Sequence, residues 1–266
     1  MIRAMWSAAT GMQAQQINMD VISNNLANVN TTGFKHSQAA FQDLLYANMR
    51  AAGSETAQTG TQIPAGIQLG HGVKVVAVAK DFTQGSLLSS NSGDTMDVTL
   101  GINGPGFFQI EMPDGTIAYT RDGNFKINKD YNIVNPDGFL LKDGGSVADS
   151  QTVRVDINSG KISATQSDGK IKAGGQLQLA RFANAAGLTA IGNNLFKESV
   201  ASGPPDVRNP TDAGMGDVLQ HNLEQSNVNM VTEMVNMITT QRAYEIGTKS
   251  IQTVDSMLGL AAGLKR

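Results

Sequence analysis

Apolar residues recur every seven positions at both ends of this 266-residue chain, and no other feature constrains its fold as strongly. Near the start, Met5, Met12, Met19 and Leu26 stand at seven-residue intervals, and Ala8, Gln15, Ile22 and Val29 follow each by three. Near the end, Leu223, Met230, Met237, Tyr244, Ile251 and Leu258 repeat the interval, with Met234 on the same seam and Val231, Val235 and Ile238 widening it. A helix with apolar residues at this spacing packs along another helix. Before Lys35 the first segment carries only Arg3 and Asp20 as charges. A solvated helix normally shows charge on its outer face, so a neutral one predicts burial on more than one side.

The middle of the chain reads differently. Short runs bearing Phe, Ile, Tyr and Val alternate with PDG at 113–115 and 136–138, RDG at 121–123 and KDG at 142–144. Asp-Gly between such runs marks hairpins, because the turn needs positive φ. Further strands are expected near Val153–Ile157, Lys161–Thr165 and Gln176–Phe182. The resulting fold class is α+β: N- and C-terminal helices pair as a coiled-coil domain, with an antiparallel β-rich domain inserted between them. Residues 1–45 with 217–266 are read as the helical domain, 46–72 as an extended linker, 73–202 as the β-rich domain and 203–216 as a Pro/Gly connector. Gly33 and Phe34 read as the stop of the first helix, with Gly in the left-handed cap conformation and Phe packed back on the last turn.

Chemistry is hard to find in this sequence. There is no GxSxG, HExxH or Walker-type motif. The glycine cluster at 101–106 precedes the strand-like FFQIEM, not a phosphate-binding helix, and Asp122-Gly123-Asn124-Phe125-Lys126 lacks the residues that would complete a calcium loop. It reads as a hairpin turn. His36, His71 and His221 are scattered, and there is no cysteine. No catalytic, cofactor-binding or metal-ligating residue is therefore expected. A formal charge of -3 argues against an electrostatic nucleic-acid binder. No apolar run approaches the ~18–20 residues needed to span a bilayer, so membrane insertion is not expected. MIRAMWSAATGMQAQQ is diluted by Ser, Thr, Gly and Gln, and makes a poor cleaved secretory signal.

Two long motifs carry a resemblance. MIRAMWSAATGMQAQQINMDVISNNLANVNTTGFK is similar to the N-terminal signature of flagellar basal-body rod and hook proteins, and SNVNMVTEMVNMITTQRAYEIGTKSIQTVDSML to their C-terminal one. GPGFFQI, PDGTIAYTRDGNF and ARFANAAGLTAIGNNLF resemble the central part, so the likeness spans nearly the whole chain. Within the family, the length of 46–72 and its IPAGIQLGHGVK ending resemble the distal rod branch; a proximal rod or hook-like subunit is the alternative.

The resemblance implies a non-enzymatic structural subunit, exported by the flagellar type III apparatus, that polymerises helically into an axial shaft. Its implied partners are further copies of itself, proximal rod proteins, the hook protein and the surrounding ring proteins. The expected assembly residues are Met5, Met12, Met19, Ile22, Asn24, Asn25, Leu26 and Asn28 at one end. At the other they are Leu223, Asn227, Met230, Met234, Met237, Gln241, Tyr244, Ile251 and Leu258. Asn is a poor residue for a helix interior, so Asn24, Asn25 and Asn28 are expected to hydrogen-bond across subunit boundaries and fix register. Gly247 departs from the family pattern, which has Asn or a similar residue there. A free-standing carbohydrate-binding β domain would explain the hairpins but leaves both neutral heptad ends without a purpose.

Overall fold

The computed structural model describes residues 2–53, 64–90, 97–145, 150–155, 160–166 and 171–263. The chain divides into two compact units. The first comprises Met1–Leu26, Ser37–Ala79 and Asn229–Arg266; the second comprises Ala27–His36 and Lys80–Val228.

The first unit holds two long helices, α1 (Ile2–Ala27) and α2 (Met230–Gly263). Asn229 caps α2: its Oδ1 accepts the backbone N–H of Val231 (3.1 Å) and Thr232 (3.2 Å), and its carbonyl accepts that of Glu233. Free N–H groups in a first turn need such partners, and Asn is among the best suppliers. Strands Ser37–Asp43 and Val73–Lys80 pair as one ribbon, and Tyr46–Arg50 and Ile67–Gly70 pair antiparallel as another.

The second unit is built on a nine-stranded sheet. It contains the hairpin Phe108–Glu111 with Ile117–Thr120, turned by the PDG at 113–115, where the Gly115 N–H donates to the Met112 carbonyl. The PDG at 136–138 turns a second hairpin that pairs Val134 with Leu140. Val98, Leu100, Ile102, Phe108, Ile110, Phe125 and Val218 of this sheet pack into the main core, joined by Leu179 from the separate strand Leu179–Arg181. A smaller aromatic core joins Phe107, Tyr119, Phe182 and Phe196, with edge-to-face ring contacts such as Tyr119 to Phe182 at 4.8 Å between centroids.

Several expected boundaries move. Helix α1 ends at Ala27, well before Gly33, because the Asn28 carbonyl accepts the Thr31 N–H and the Asn28 Oδ1 accepts the Thr31 hydroxyl, which turns the chain. Residues 37–43 are a strand, not helix. Gly33 has φ +67°, but its N–H donates to the Glu224 carbonyl; a Cβ there would lie 2.5 Å from the Asp122 backbone nitrogen. Phe34 is buried in the second unit. At the other end, residues 217–224 form strands, and Leu223 lies in Asn222–Glu224, paired with Leu88. The 203–216 stretch contributes strand Asp206–Arg208 and the buried Met215 to the second unit, so it is no free connector. Val73–Ala79 belongs to the first unit, and both ends of 46–72 are strands; 54–63 lies outside the described residues.

The RDG at 121–123 is also not a hairpin. Ile117–Thr120 pairs with Phe108–Glu111 and Leu195–Lys197, whereas Asn124–Ile127 pairs with Asp97–Asn103 and Ile133–Val134. Gly123 serves a corner where the backbone meets the Leu100 carbonyl, and any Cβ would collide with that oxygen. KDG at 142–144 leaves the sheet without returning an adjacent strand.

A buried ion cluster ties Ala27–His36 to the rest of the second unit. The Glu224 carboxylate accepts Lys35 Nζ at 2.6 Å, Arg121 Nη1 at 3.3 Å and the Gly85 N–H at 2.9 Å. Lys35 Nζ also donates to the Thr83 carbonyl at 2.7 Å. Burial pulls the Lys35 ammonium below its usual range, against the opposing pull of Glu224. Removing one partner of such a pair leaves an uncompensated buried charge. Glu224→Gln should therefore lower the unfolding free energy by about 3–5 kcal/mol in urea titration; a shift below about 1 kcal/mol would show that the cluster is not what fastens this segment.

Candidate assembly interface

Helices α1 and α2 run antiparallel within the first unit. Asn25 Nδ2 donates to Glu233 Oε2 at 3.1 Å, Asn18 Nδ2 donates to Thr240 Oγ1 at 3.0 Å, and Gly247 lies against the Met12 side chain. Ascending α1 thus descends α2. A Cβ on Gly247 would come within 2.7 Å of Met12 Cγ, so the missing side chain at this departure from the family pattern admits Met12.

Asn25 is fully buried, and its amide is consumed inside its own chain. Nδ2 donates to the Ser37 carbonyl at 2.8 Å as well as to Glu233, while Oδ1 accepts the Ser37 N–H at 2.9 Å. The amide completes the open edge at the first residue of a strand, as a neighbouring backbone would. This replaces the cross-subunit role expected of Asn25. Asn24 is exposed, and Asn28 sits half-buried in the turn after α1.

Along α1, Ala14 and Ile22 are buried, while Met5, Met12, Met19 and Leu26 are half-buried. Along α2 the buried residues are Glu233, Thr240 and Val254, with Met237, Ile251 and Leu258 half-buried beside them. Gln241, Met230 and Met234 are exposed, as is Tyr244 at 37%. Leu223 and Asn227 do not join this face. Asn227 belongs to the second unit, where its Oδ1 accepts the His36 N–H at 2.7 Å and its Nδ2 donates to the Asp81 carbonyl at 3.0 Å. Glu233, Thr240 and Val254 were missed because two of the three are polar; their own seven-residue spacing, four before Met237 and its successors, was the signal.

The opposite side of α2 is apolar too. Val231, Val235, Ile238, Ile246 and Leu260 are exposed, Val231 at 71% and Leu260 at 72%. At 3.6 residues per turn they share one stripe, facing away from Glu233, Thr240 and Val254. The strands of this unit add Phe41, Tyr46, Met49, Ile67, Leu69, Val76 and Val78 to its exposed apolar side chains, and the link between two of them adds Leu45. Against these, its buried apolar residues are Ala14, Ile22, Ala39 and Val254. A groove of about 270 Å³ between Thr10, Ala14, Ile17, Leu44 and Val73 stands open in the same unit.

Three family descriptions match along the chain. They are "Flagella basal body rod protein" over residues 5–35, "Flagellar hook protein FlgE/F/G D1 domain" over 101–176, and "Flagellar basal body rod FlgEFG protein C-terminal" over 219–264. The chain is 46% identical to the flagellar basal-body rod protein FlgG of Borreliella burgdorferi and 37% identical to that of Bacillus subtilis, each over 100% of both chains. The chain belongs to the FlgG family of distal rod proteins. It is a structural subunit of the distal rod of the bacterial flagellar basal body. It is also 32% identical to the flagellar hook protein FlgE of Helicobacter pylori, over 79% of this chain and 30% of that one. Among the described residues no helix is long and apolar enough to cross a membrane.

Within this FlgG-family chain the Asn25 geometry makes a sharp test. Asn25→Ala would remove three buried hydrogen bonds, two with the Ser37 backbone and one with Glu233, at a cost of at least about 2 kcal/mol. Asn25→Asp should cost more, because it sets a second carboxylate against Glu233 with no N–H between them. Amide exchange at Ser37 should quicken in both variants; equal stability of the two would contradict the hydrogen-bond assignment.

Proposed function

We propose that the first unit is the polymerisation element of the rod, and that α1 and α2 pair as a coiled coil whose outward faces are covered by neighbouring copies. The observation that carries this reading is the imbalance within that unit: its two long helices and two ribbons bury few apolar side chains and expose many. Single exposed apolar residues are ordinary, but a continuous stripe on a helix already packed on its other face calls for a partner. Covering Val235 and Ile238 is worth about 1.5–3 kcal/mol each, repeated at every subunit. Methionines at 230 and 234 suit contacts that differ slightly from neighbour to neighbour, since the thioether side chain adapts its shape.

On this reading the subunits stack helically into a shaft that transmits torque, joined to proximal rod proteins at one end and the hook at the other. The shared likeness to a hook protein supports a common mode of stacking across that junction. Export through the flagellar type III apparatus and passage through the ring proteins follow from the same reading. Helices with few buried contacts suit a chain that folds its ends on arrival.

Concentrating the purified chain should give straight helical tubes in cryo-electron microscopy, with α1 and α2 protected from hydrogen exchange in the tubes and poorly protected in dilute solution. Val235→Asp with Ile238→Asp should abolish tubes while leaving the thermal transition of the second unit in place. Tubes formed normally by that double variant would overturn the reading.

Segment 46–72 is proposed to stiffen the shaft. Its two ends pair as strands and present Tyr46, Met49, Ile67 and Leu69 outward, a surface suited to lying along a neighbour and opposing sliding. Removing residues 46–72 should give curved or more flexible tubes; an unchanged persistence length in micrographs would refute this part.

A further inference from the structure

Among the described residues of the second unit, two buried basic side chains gather on one acidic one. Lys35 and Arg121 are 1% and 4% exposed, and they share the single carboxylate of Glu224, itself 1% exposed. Asp81 adds attraction at Lys35, whereas Glu224 is the carboxylate acting on Arg121. Arg121 spends Nη1 on Glu224, and its buried Nε has no hydrogen-bond partner. A buried guanidinium with an unused donor is costly, because water has been removed and nothing replaces it. The face of Phe107, 5.3 Å from the guanidinium carbon, compensates only in part.

Arg121 also lines a cavity of about 440 Å³. Phe82, Phe107 and Phe182 wall it, and Arg181 and Gln84 stand at its margin. The rings are edge-to-face, Phe82 to Phe107 at 5.4 Å and Phe107 to Phe182 at 5.8 Å, so the walls are rigid and apolar. Arg181 is exposed and holds the Gly214 carbonyl through Nη1 at 3.0 Å, which fixes its side chain near the opening. This volume falls within the ~300–1,000 Å³ common for ligand sites, and the cleft, open on one side, combines aromatic walls with polar groups. A bare inorganic anion would leave the aromatic walls empty, and a purely apolar ligand would leave the charge unanswered.

We propose that this cavity binds a carboxylate carried on an aromatic or other apolar stem, with the carboxylate directed to Arg121 and Arg181 and the stem between the phenylalanine rings. The carboxylate can come from a free small acid or from an acidic side chain of a protein segment. Both offer the same chemistry. Nuclear magnetic resonance of the dilute, isotope-labelled full chain distinguishes them, with the Arg121 Nε–H and the three Phe rings as reporters. The probes are 3-phenylpropionate, its neutral amide, and the blocked dipeptide acetyl-Phe-Glu-amide.

Phenylpropionate should shift the Nε–H and ring signals saturably, with the amide binding roughly ten-fold more weakly or less. Arg181→Gln should weaken the acid several-fold without moving the thermal transition; it keeps the test valid should Arg121 variants fail to fold. Binding by the dipeptide as well supports a protein-borne acid, and exclusion of the dipeptide supports a free one. Equal binding of acid and amide, or no saturation by either acid up to about 10 mM, would overturn the proposal.

Discussion

A helix that is apolar on two opposite sides cannot be satisfied by one partner, and α2 is such a helix. One side meets α1 through Glu233, Thr240 and Gly247; the other presents Val231, Val235 and Ile238 to solvent. A globular domain would close a second layer over that stripe. This chain instead places its large folded sheet in a separate unit, whose own cores are complete without the helices. The apolar surface left on the first unit is therefore available for contacts between copies, and the architecture suits a subunit whose final stability comes from the polymer.

The polar groups around the helices serve a different purpose from the apolar stripe. Asn25, Asn227 and Asn229 each bind backbone within the chain: one at the start of a strand, one holding His36 and Asp81, and one capping α2. Each is placed where the chain enters or leaves a regular element, and there an amide supplies both a donor and an acceptor. The local conformation at the ends of α1 and α2 is thus specified by groups of the chain itself. Together with the Glu224 cluster, these contacts hold segments 27–36 and 225–229, each of which adjoins a point where the chain changes unit.

Much of this was legible in the sequence. The heptads announced two terminal helices, and PDG at 113–115 and 136–138 marked true hairpins. What failed did so where a local signal met a distant partner. RDG at 121–123 has hairpin chemistry, but Gly123 is required by the Leu100 carbonyl, and Leu195–Lys197, some 75 positions later, takes the strand edge a hairpin partner would have used. Leu223 fits the seven-residue count, yet the chain before Asn229 is held extended against Leu87–Ser89. Lys35 and Arg121 look like surface cations in the sequence; only the fold brings Glu224 to them. The seam of α2 was found on its apolar side, at Met237, Ile251 and Leu258, and missed where Glu233 and Thr240 carry it, since a polar residue in a seam is invisible until its partner is known.

Those polar partners also set how the helices match. Seven residues along α1, from Asn18 to Asn25, correspond to seven along α2, from Thr240 to Glu233. A shift by one turn would carry Asn25 away from Glu233 and break the buried hydrogen bond between them, which costs more than an apolar mismatch. It would also move Gly247 from Met12 and bring a larger side chain to that close approach. Register is therefore specified within a single chain, by two hydrogen bonds and one absent side chain. The outer stripe of valines and isoleucine carries no such directional groups; on the proposed reading its part is attraction between copies.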